Sequence, residues 1–196
     1  MKKCLLFIFV MLISTIQVNS QVRRNSSVQQ SNSHLKIMGI PITGSYSSFT
    51  TQLSNKGFRK VTAGNDVYWD GKFNGEDVRI SLNTTPISRN VYMVAVMYKQ
   101  QLNRNQADNK CKSLMGRIGQ KYNTSFAYNE NKDQDLYCDY LAQISGNGRL
   151  IGIIEVNAFQ DLNGYGVNVI YIDAIGVQKH NQEQSQYSNS MDNSDF

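Results

Sequence analysis

Short runs of alternating apolar residues, separated by glycine-containing turns, are the feature that most restricts how this chain can fold. Val78, Ile80 and Leu82 alternate with polar residues, which is typical of a strand with one buried face. Asn-Gly dipeptides at 74–75 and 163–164, and Gly-Asn-Gly at 146–148, lie between such runs. These residues accept the positive φ angles of tight turns, so they predict antiparallel hairpins.

A first helix is indicated ahead of the early strands. Tyr46, Phe49 and Leu53 recur at helical spacing. Ser45 is suited to cap the start of the helix, and Gly57 is suited to end it. The helix would therefore present one apolar side to a sheet.

A second helix is predicted in the middle of the chain. Asn103 or Asn105 can cap its start and Asn123 can end it. Its apolar stripe comprises Ala107, Cys111, Leu114, Met115, Ile118 and Tyr122. With strands expected at 67–73, 78–82, 91–98, 136–144, 150–159 and 167–177, the order is helix, three strands, helix, three strands.

This order predicts an α+β fold made of two α-β-β-β units. We expect an antiparallel meander in one or two sheets, with the helices on one face. The strands at 91–98 and 167–177 are apolar on both faces. Three arrangements would satisfy them: a strongly curved sheet, two halves packed together, or another molecule that covers the sheet.

The N-terminus has the pattern of a secretory signal peptide over residues 1–20. Two lysines precede an apolar run from Leu5 to Ile13, which is too short to span a bilayer. Cys4 lies before this run and so is not placed like a lipoprotein cysteine. We expect cleavage after Ser20, and an exported protein that is periplasmic or extracellular. No later segment is long and apolar enough to span a membrane.

Polar segments flank the predicted domain on both sides. Residues 21–34 and 179–196 lack an apolar period, so both are expected to be flexible tails. The single α+β domain is then placed at 35–178, with halves at about 35–100 and 101–178.

The formal net charge of the whole chain is +5. Lys2 and Lys3 would leave with the signal peptide, and the remaining basic residues are spread along the sequence. Nucleic-acid binding needs a concentrated basic surface, so we expect no nucleic-acid partner.

The opening of the domain resembles a group of small exported bacterial proteins that have no defined biochemical role. The residues that carry the resemblance read Gly-Ile-Pro-Ile-Thr-Gly at 39–44, followed by Phe49, Leu53 and Lys-Gly-Phe at 56–58, with the hairpin Phe-Asn-Gly at 73–75. The resemblance covers residues 38–98 through these motifs, and it covers the second half of the chain only through the order of its predicted helix and strands. The tandem arrangement is similar to the helix-plus-sheet modules of β-lactamase inhibitor proteins and of small outer-membrane assembly lipoproteins. Neither resemblance brings catalytic residues with it.

Cleavage would leave two cysteines, Cys111 and Cys138, and an even number in an exported chain suggests a disulfide. If the second helix packs over the strand at 136–144, the two thiols can meet. A bond between them would stabilise the fold by roughly 3 kcal/mol through chain entropy. Two separate buried thiols are the alternative.

Several chemistries lack the residues they require. The two histidines, His34 and His180, lie beside the polar tails and are expected to be solvated. A serine–histidine–aspartate triad or a histidine-rich zinc site is therefore not expected. No phosphate-binding glycine loop occurs, and we predict neither cofactor nor metal.

Acidic residues leave one enzymatic alternative open. Asp139, Glu155 and Asp173 fall within predicted strands, where two of them could face one cleft and hydrolyse a glycan. Outward-facing charges on the sheet are the favoured interpretation. The oxygen-rich series Asn129, Asn131, Asp133 and Asp135 lacks the glycine and glutamate of a calcium loop, so a solvated loop is favoured there.

Tyrosines on strands provide a candidate binding surface. Tyr92, Tyr98, Tyr137 and Tyr171 could stack on a glycan or a protein partner, and core packing explains them as well. A non-enzymatic binding module for a protein or an envelope polymer is the leading interpretation. A carboxylate-dependent glycan hydrolase is one alternative, and a protein that inhibits an enzyme by inserting the loop at Pro86 or the loop after Asn129 is the other.

Overall fold

The computed structural model describes residues 34–130 and 135–192, with side chains up to Ser188. The predicted signal peptide and nearly all of the 21–34 segment lie outside these ranges. The helices are α1 (Tyr46–Asn55), α2 (Arg104–Tyr122) and α3 (Ala174–Asp192). The strands are β1 (Lys36–Ile37), β2 (Ile40–Pro41), β3 (Arg59–Ala63), β4 (Asp66–Phe73), β5 (Glu76–Thr84), β6 (Val91–Leu102), β7 (Ala127–Tyr128), β8 (Leu136–Gly146), β9 (Arg149–Asp161) and β10 (Gly164–Asp173).

Eight strands form a single antiparallel sheet in the order β3-β4-β5-β6-β10-β9-β8-β7. Each half is a meander that follows a helix, and the last strands of the two meanders pair with each other. Val96 lies opposite Val169 at this seam. The prediction of an α+β fold with an antiparallel sheet is confirmed.

The ends of α1 and α2 follow from local sequence. The amide of Ser48 donates to the Ser45 hydroxyl at the start of α1, and Gly57 follows its end at φ +86°. Asn103 and Gln106 form a reciprocal capping box at the start of α2, and Asn123 ends it in a left-handed conformation. These predicted helix ends are confirmed.

Two of the three predicted turns have the backbone angles that their Asn-Gly sequences favour, whereas at 163–164 only Gly164 has a positive φ, of 146°. Asn74 and Gly75 have φ angles of 52° and 83°, and Asn147 and Gly148 have 52° and 71°. Two consecutive residues with positive φ suit a tight hairpin between twisted strands. These turns set which residues of β4 and β5, and of β8 and β9, share a face.

Each half contains four sheet strands where three were expected. The additional strands, β3 and β7, lie at the two edges of the sheet. β3 is mostly exposed along its length, and both residues of β7 are exposed. Neither carries the alternating apolar pattern that marks a half-buried strand, so neither could be recognised from its sequence.

The C-terminal segment differs from the flexible tail expected at 179–196. β10 ends at Asp173, before the predicted limit of 177, and the helix α3 follows. Asp173 accepts a hydrogen bond from the amide of Gly176 and so caps the first turn. Gly176, His180 and Glu183 of α3 contact the rest of the fold, and residues of these types do not produce the apolar period by which helices are recognised.

One face of the sheet carries the main core. Residues directly opposite each other in the sheet share a face, and the row Val78, Tyr98, Val167, Ala158 and Cys138 faces the stripe of α2. α1 contributes Phe49 and Leu53 to the same core. The opposite face of the sheet is called the far face below.

α3 lies outside the main core. Tyr92 and Ile172 are buried but do not belong to the core cluster. The His180 ring stacks on the Tyr92 ring with centroids 4.5 Å apart. The expectation of helices gathered over one core thus describes α1 and α2, whereas α3 covers a second buried region. No helix within the described ranges combines the length and apolarity needed to cross a bilayer.

Candidate functional site

A row of mostly polar side chains crosses the far face over six neighbouring strands. Each residue of the row lies directly opposite the next in the sheet register. We call it the polar row, and its members are Asp70, Arg79, Met97, Asn168, Asn157 and Asp139. Its two ends differ in charge and in burial.

The end on β4 to β6 is partly exposed and cationic. The Arg79 Nε atom donates to the Asp70 carboxylate at 2.9 Å, and the Lys99 ammonium contacts the same group at 2.7 Å. Hydrogen bonding from Arg79, supplemented by Lys99, lowers the pKa of Asp70. Arg59 on β3 lies directly opposite Asp70, and Asp66 accepts a hydrogen bond from the Tyr68 hydroxyl. With three cations against two carboxylates, the cationic end (Arg59, Asp66, Tyr68, Asp70, Arg79 and Lys99) has an excess of one positive charge.

The end on β8 and β9 is buried and acidic. Asp139 is 2% exposed and Glu155 is 7% exposed, and the two side chains lie on the same face of neighbouring strands. Asn129 donates to the Asp139 Oδ2 atom at 2.7 Å. The Asn157 amide nitrogen donates to the Glu155 Oε1 atom. We call Asp139, Glu155, Asn157 and Asn168 the acidic end.

Burial and the neighbouring Asp139 charge raise the pKa of Glu155 to about 7. Because ionisation of Glu155 is disfavoured in this way, its carboxyl group keeps a proton up to about neutral pH. The acidic end can therefore hold either a proton or a cation between its oxygens.

Asp173 does not join the other two acids. Its carboxylate accepts from the Leu35 amide at 2.8 Å, contacts the His34 Nδ1 atom at 3.0 Å and caps α3. It ties the start of the described chain to its last helix. Of the three acids named from the sequence, Asp139 and Glu155 converge, whereas Asp173 has a structural role.

The proposed tyrosine surface is not present as such. Tyr92, Tyr98 and Tyr171 are at most 6% exposed. Tyr98 and Tyr171 occupy core positions in the sheet, and Tyr92 lies beneath α3. Tyr137 is partly buried, with the Arg104 guanidinium 4.5 Å from its ring centroid. The prediction of a shared exposed surface is corrected, because large aromatic rings gain more from burial in the core.

Neither histidine is simply solvated, which corrects that expectation. His34 contacts Asp173, as described above, and His180 stacks on Tyr92. Burial lowers the pKa of His180. Glu183, one turn further along α3, accepts from the amides of Ile87 and Ser88 at 2.8 Å. Burial alone would raise the pKa of Glu183, but these bonds and the Ser88 hydroxyl outweigh it and lower the pKa to about 2.

Cys111 and Cys138 meet across the core, as the sequence suggested. Their sulfur atoms are 3.9 Å apart, both residues are buried, and both are free thiols in this structure. They join the stripe of α2 to β8.

An open depression of about 850 Å³ lies at the C-terminal end of α2. It is lined by Met115, Gly116, Gly119, Gln120, Asn123, Thr124, Ser125 and Phe126. None of these side chains ionises near neutral pH, so the depression offers no acid or base to catalyse a reaction.

Sequence reasoning missed the amide members of the polar row. Glu155 and Asn157 both interrupt the otherwise apolar run at 150–159, and polar residues within such a run were the available signal. The suggested calcium series falls partly outside the described residues, at 131–134, and Asn129 instead binds Asp139. Within the described ranges, no group of three or more histidine, cysteine or acidic residues could hold a metal.

Comparison of the chain with protein-family models, with curated proteins and with solved structures finds no match. The resemblance to small exported proteins therefore stays a prediction.

Proposed function

We propose that the chain is an exported, non-enzymatic binding module that holds a protein partner at the cationic end of its far face. The observation that supports this most directly is the net positive charge left by Arg79 and Lys99 around Asp70. Met97 lies beside them in the polar row, and Met93 and Ala95 share its strand and face outside the main core. Methionine side chains adapt readily to a partner surface.

The expected partner surface follows from this arrangement. A carboxylate would pair with Lys99, and apolar side chains flanking it would cover Met97 and Ala95. Such a patch combines an adaptable apolar centre with a charged rim, which is the usual anatomy of a protein interface.

The alternative of a glycan hydrolase has little support. Glycosidase carboxyl groups stand about 5 Å or more apart, with substrate between them. Asp139 is close enough to Glu155 for its charge to raise the pKa of Glu155, and both residues are nearly inaccessible. A sugar could not reach between them without opening the sheet.

An inhibitory loop is the second candidate, because one loop is both rigid and apolar at its tip. The loop between β5 and β6 is held to α3 by Glu183, yet Ile87 is 52% exposed. A preorganised apolar tip is suited to enter the cleft of an enzyme.

One cross-linking experiment distinguishes these functions. A photoreactive benzophenone residue replaces Met97, Ile87 or Leu162 in turn, and the last is a control at a hairpin tip that is 98% exposed. The variants are expressed in the producing cells and irradiated. We expect one defined adduct from position 97, which Lys99→Glu abolishes and the matched Lys112→Glu on α2 preserves. An adduct from position 87 alone, equal adducts from position 162, or an adduct of two copies of the chain would overturn the far-face proposal.

We also propose that Cys111 and Cys138 form a disulfide after export. Bonding requires the sulfurs to approach to about 2 Å, which small side-chain rotations can supply. Exchange with the disulfide of an oxidoreductase would form the bond, and that disulfide would accept the two electrons and two protons. Alkylation of the unreduced, denatured protein followed by mass spectrometry tests this. Two alkylated cysteines in protein isolated from the envelope would contradict it.

A further inference from the structure

The acidic end has more oxygen atoms than its hydrogen-bond donors satisfy. Asn157 is 2% exposed, and its Oδ1 atom has no hydrogen-bond partner within the described residues. Asn168 lies directly opposite Asn157 in the sheet, and its Oδ1 atom is also buried without a hydrogen-bond partner within the described residues. A buried amide oxygen without a donor is costly and calls for an explanation.

These oxygens lie beside the two carboxyl groups. The register places Asn157 between Asp139 on one strand and Asn168 on the other, all on the far face. The nitrogen of the Asn157 amide contacts Glu155, so this amide is part of the acidic cluster. Two carboxyl groups and two amide groups therefore occupy neighbouring positions on this face of the sheet.

The donor set determines which ligand would fit. It contains no sulfur or imidazole, so it does not suit zinc or copper. Two carboxylates can balance a charge of +2, and amide oxygens are common calcium ligands. Magnesium retains several water molecules and demands strict octahedral geometry, which a buried side-chain group satisfies poorly.

We propose that Asp139, Glu155, Asn157 and Asn168 form a binding site for Ca²⁺ on the far face of the sheet. The cation balances the charge of the two carboxylates and gives the two amide oxygens a partner. Asn129 orients Asp139 by donating to its other oxygen, as groups behind metal ligands commonly do. The site is separate from the cationic end and does not depend on a protein partner.

The test is calcium-dependent thermal stability at pH 8 of the purified mature chain stripped with EDTA. Ca²⁺ alone is the probe, and a ligand that binds the folded state raises the melting temperature in proportion to the logarithm of its concentration. We expect a rise for the wild type and an equal rise for Asp70→Asn, which removes an acid at the opposite end of the polar row. Glu155→Gln and Asn157→Leu are expected to lose the rise.

Isothermal titration calorimetry on the same proteins distinguishes a variant that has lost calcium binding from a variant that has failed to fold. Glu155→Gln resembles the protonated carboxyl group, so it should fold and give no calcium heat, whereas the wild type gives one site per chain. Absence of binding to the folded wild type would overturn the proposal. So would an equal response of Glu155→Gln, or an equal response of the wild type to Mg²⁺ at the same concentration.

Discussion

Glu155 is a residue whose ionisation depends on its place in the sheet. Its pKa is about 7 in the folded chain, because burial and the nearby Asp139 charge disfavour the ionised form. A raised pKa makes its contribution to stability complete below its ordinary value and lost as pH rises through 7. We predict that calcium-free wild type loses about 2 kcal/mol of unfolding free energy between pH 5 and pH 8. Urea denaturation of the wild type and Glu155→Gln at several pH values measures this loss. If the unfolding free energy fell equally with pH in both proteins, Glu155 would not be the residue responsible.

Asp173 shows how much one buried acceptor can organise. Its carboxylate accepts hydrogen bonds from the amides of Leu35 and Gly176 and contacts His34. Loss of the carboxylate would therefore leave buried donors unsatisfied. We predict that Asp173→Ala lowers the unfolding free energy by about 3 kcal/mol. Asp77→Ala is the matched control, because Asp77 forms a surface ion pair with Lys72 and should cost under about 1 kcal/mol. Equal losses in the two variants by urea denaturation would refute this role.

At the scale of elements, α2 is the helix that a covalent bond would fix. A disulfide from Cys111 to Cys138 would close the connection between α2 and β8, and its chain-entropy contribution would be about 3 kcal/mol. We predict that reduction lowers the melting temperature of the wild type and leaves Cys111→Ser/Cys138→Ser unchanged. A wild-type melting temperature that does not respond to reductant, measured by circular dichroism, would contradict the bond.

The elements also show where sequence prediction succeeds. Caps, turns and the stripe of α2 were predictable because each depends on residues close in sequence, as Ser45, Asn103 and Gly75 illustrate. β3 and α3 were missed because their packing sides are not apolar. The polar row was beyond prediction because it depends on register. Alternation shows that Asp139 and Asn157 lie on strands, but only the pairing of β6 with β10 brings Asn168 into line with Met97 and Arg79.

At the scale of the whole molecule, the seam between β6 and β10 makes the two meanders one sheet. Val96 and Val169 face each other there and are fully buried. If the halves depend on this seam, damage in the second half must destabilise the first. Trp69 is the single tryptophan of the chain and lies on β4, so its fluorescence reports on the first half.

We therefore predict that Val169→Ala lowers the unfolding free energy by about 2 kcal/mol, through lost burial and the cavity left behind. The shift should be equal whether unfolding in urea is followed by Trp69 fluorescence or by far-ultraviolet circular dichroism, because a cooperative unit has one transition. Lys112→Ala, on the exposed side of α2, should leave both curves in place. A Trp69 transition that does not move while the circular dichroism curve shifts would mean that the halves unfold independently, and that the seam is a contact between two domains rather than the centre of one.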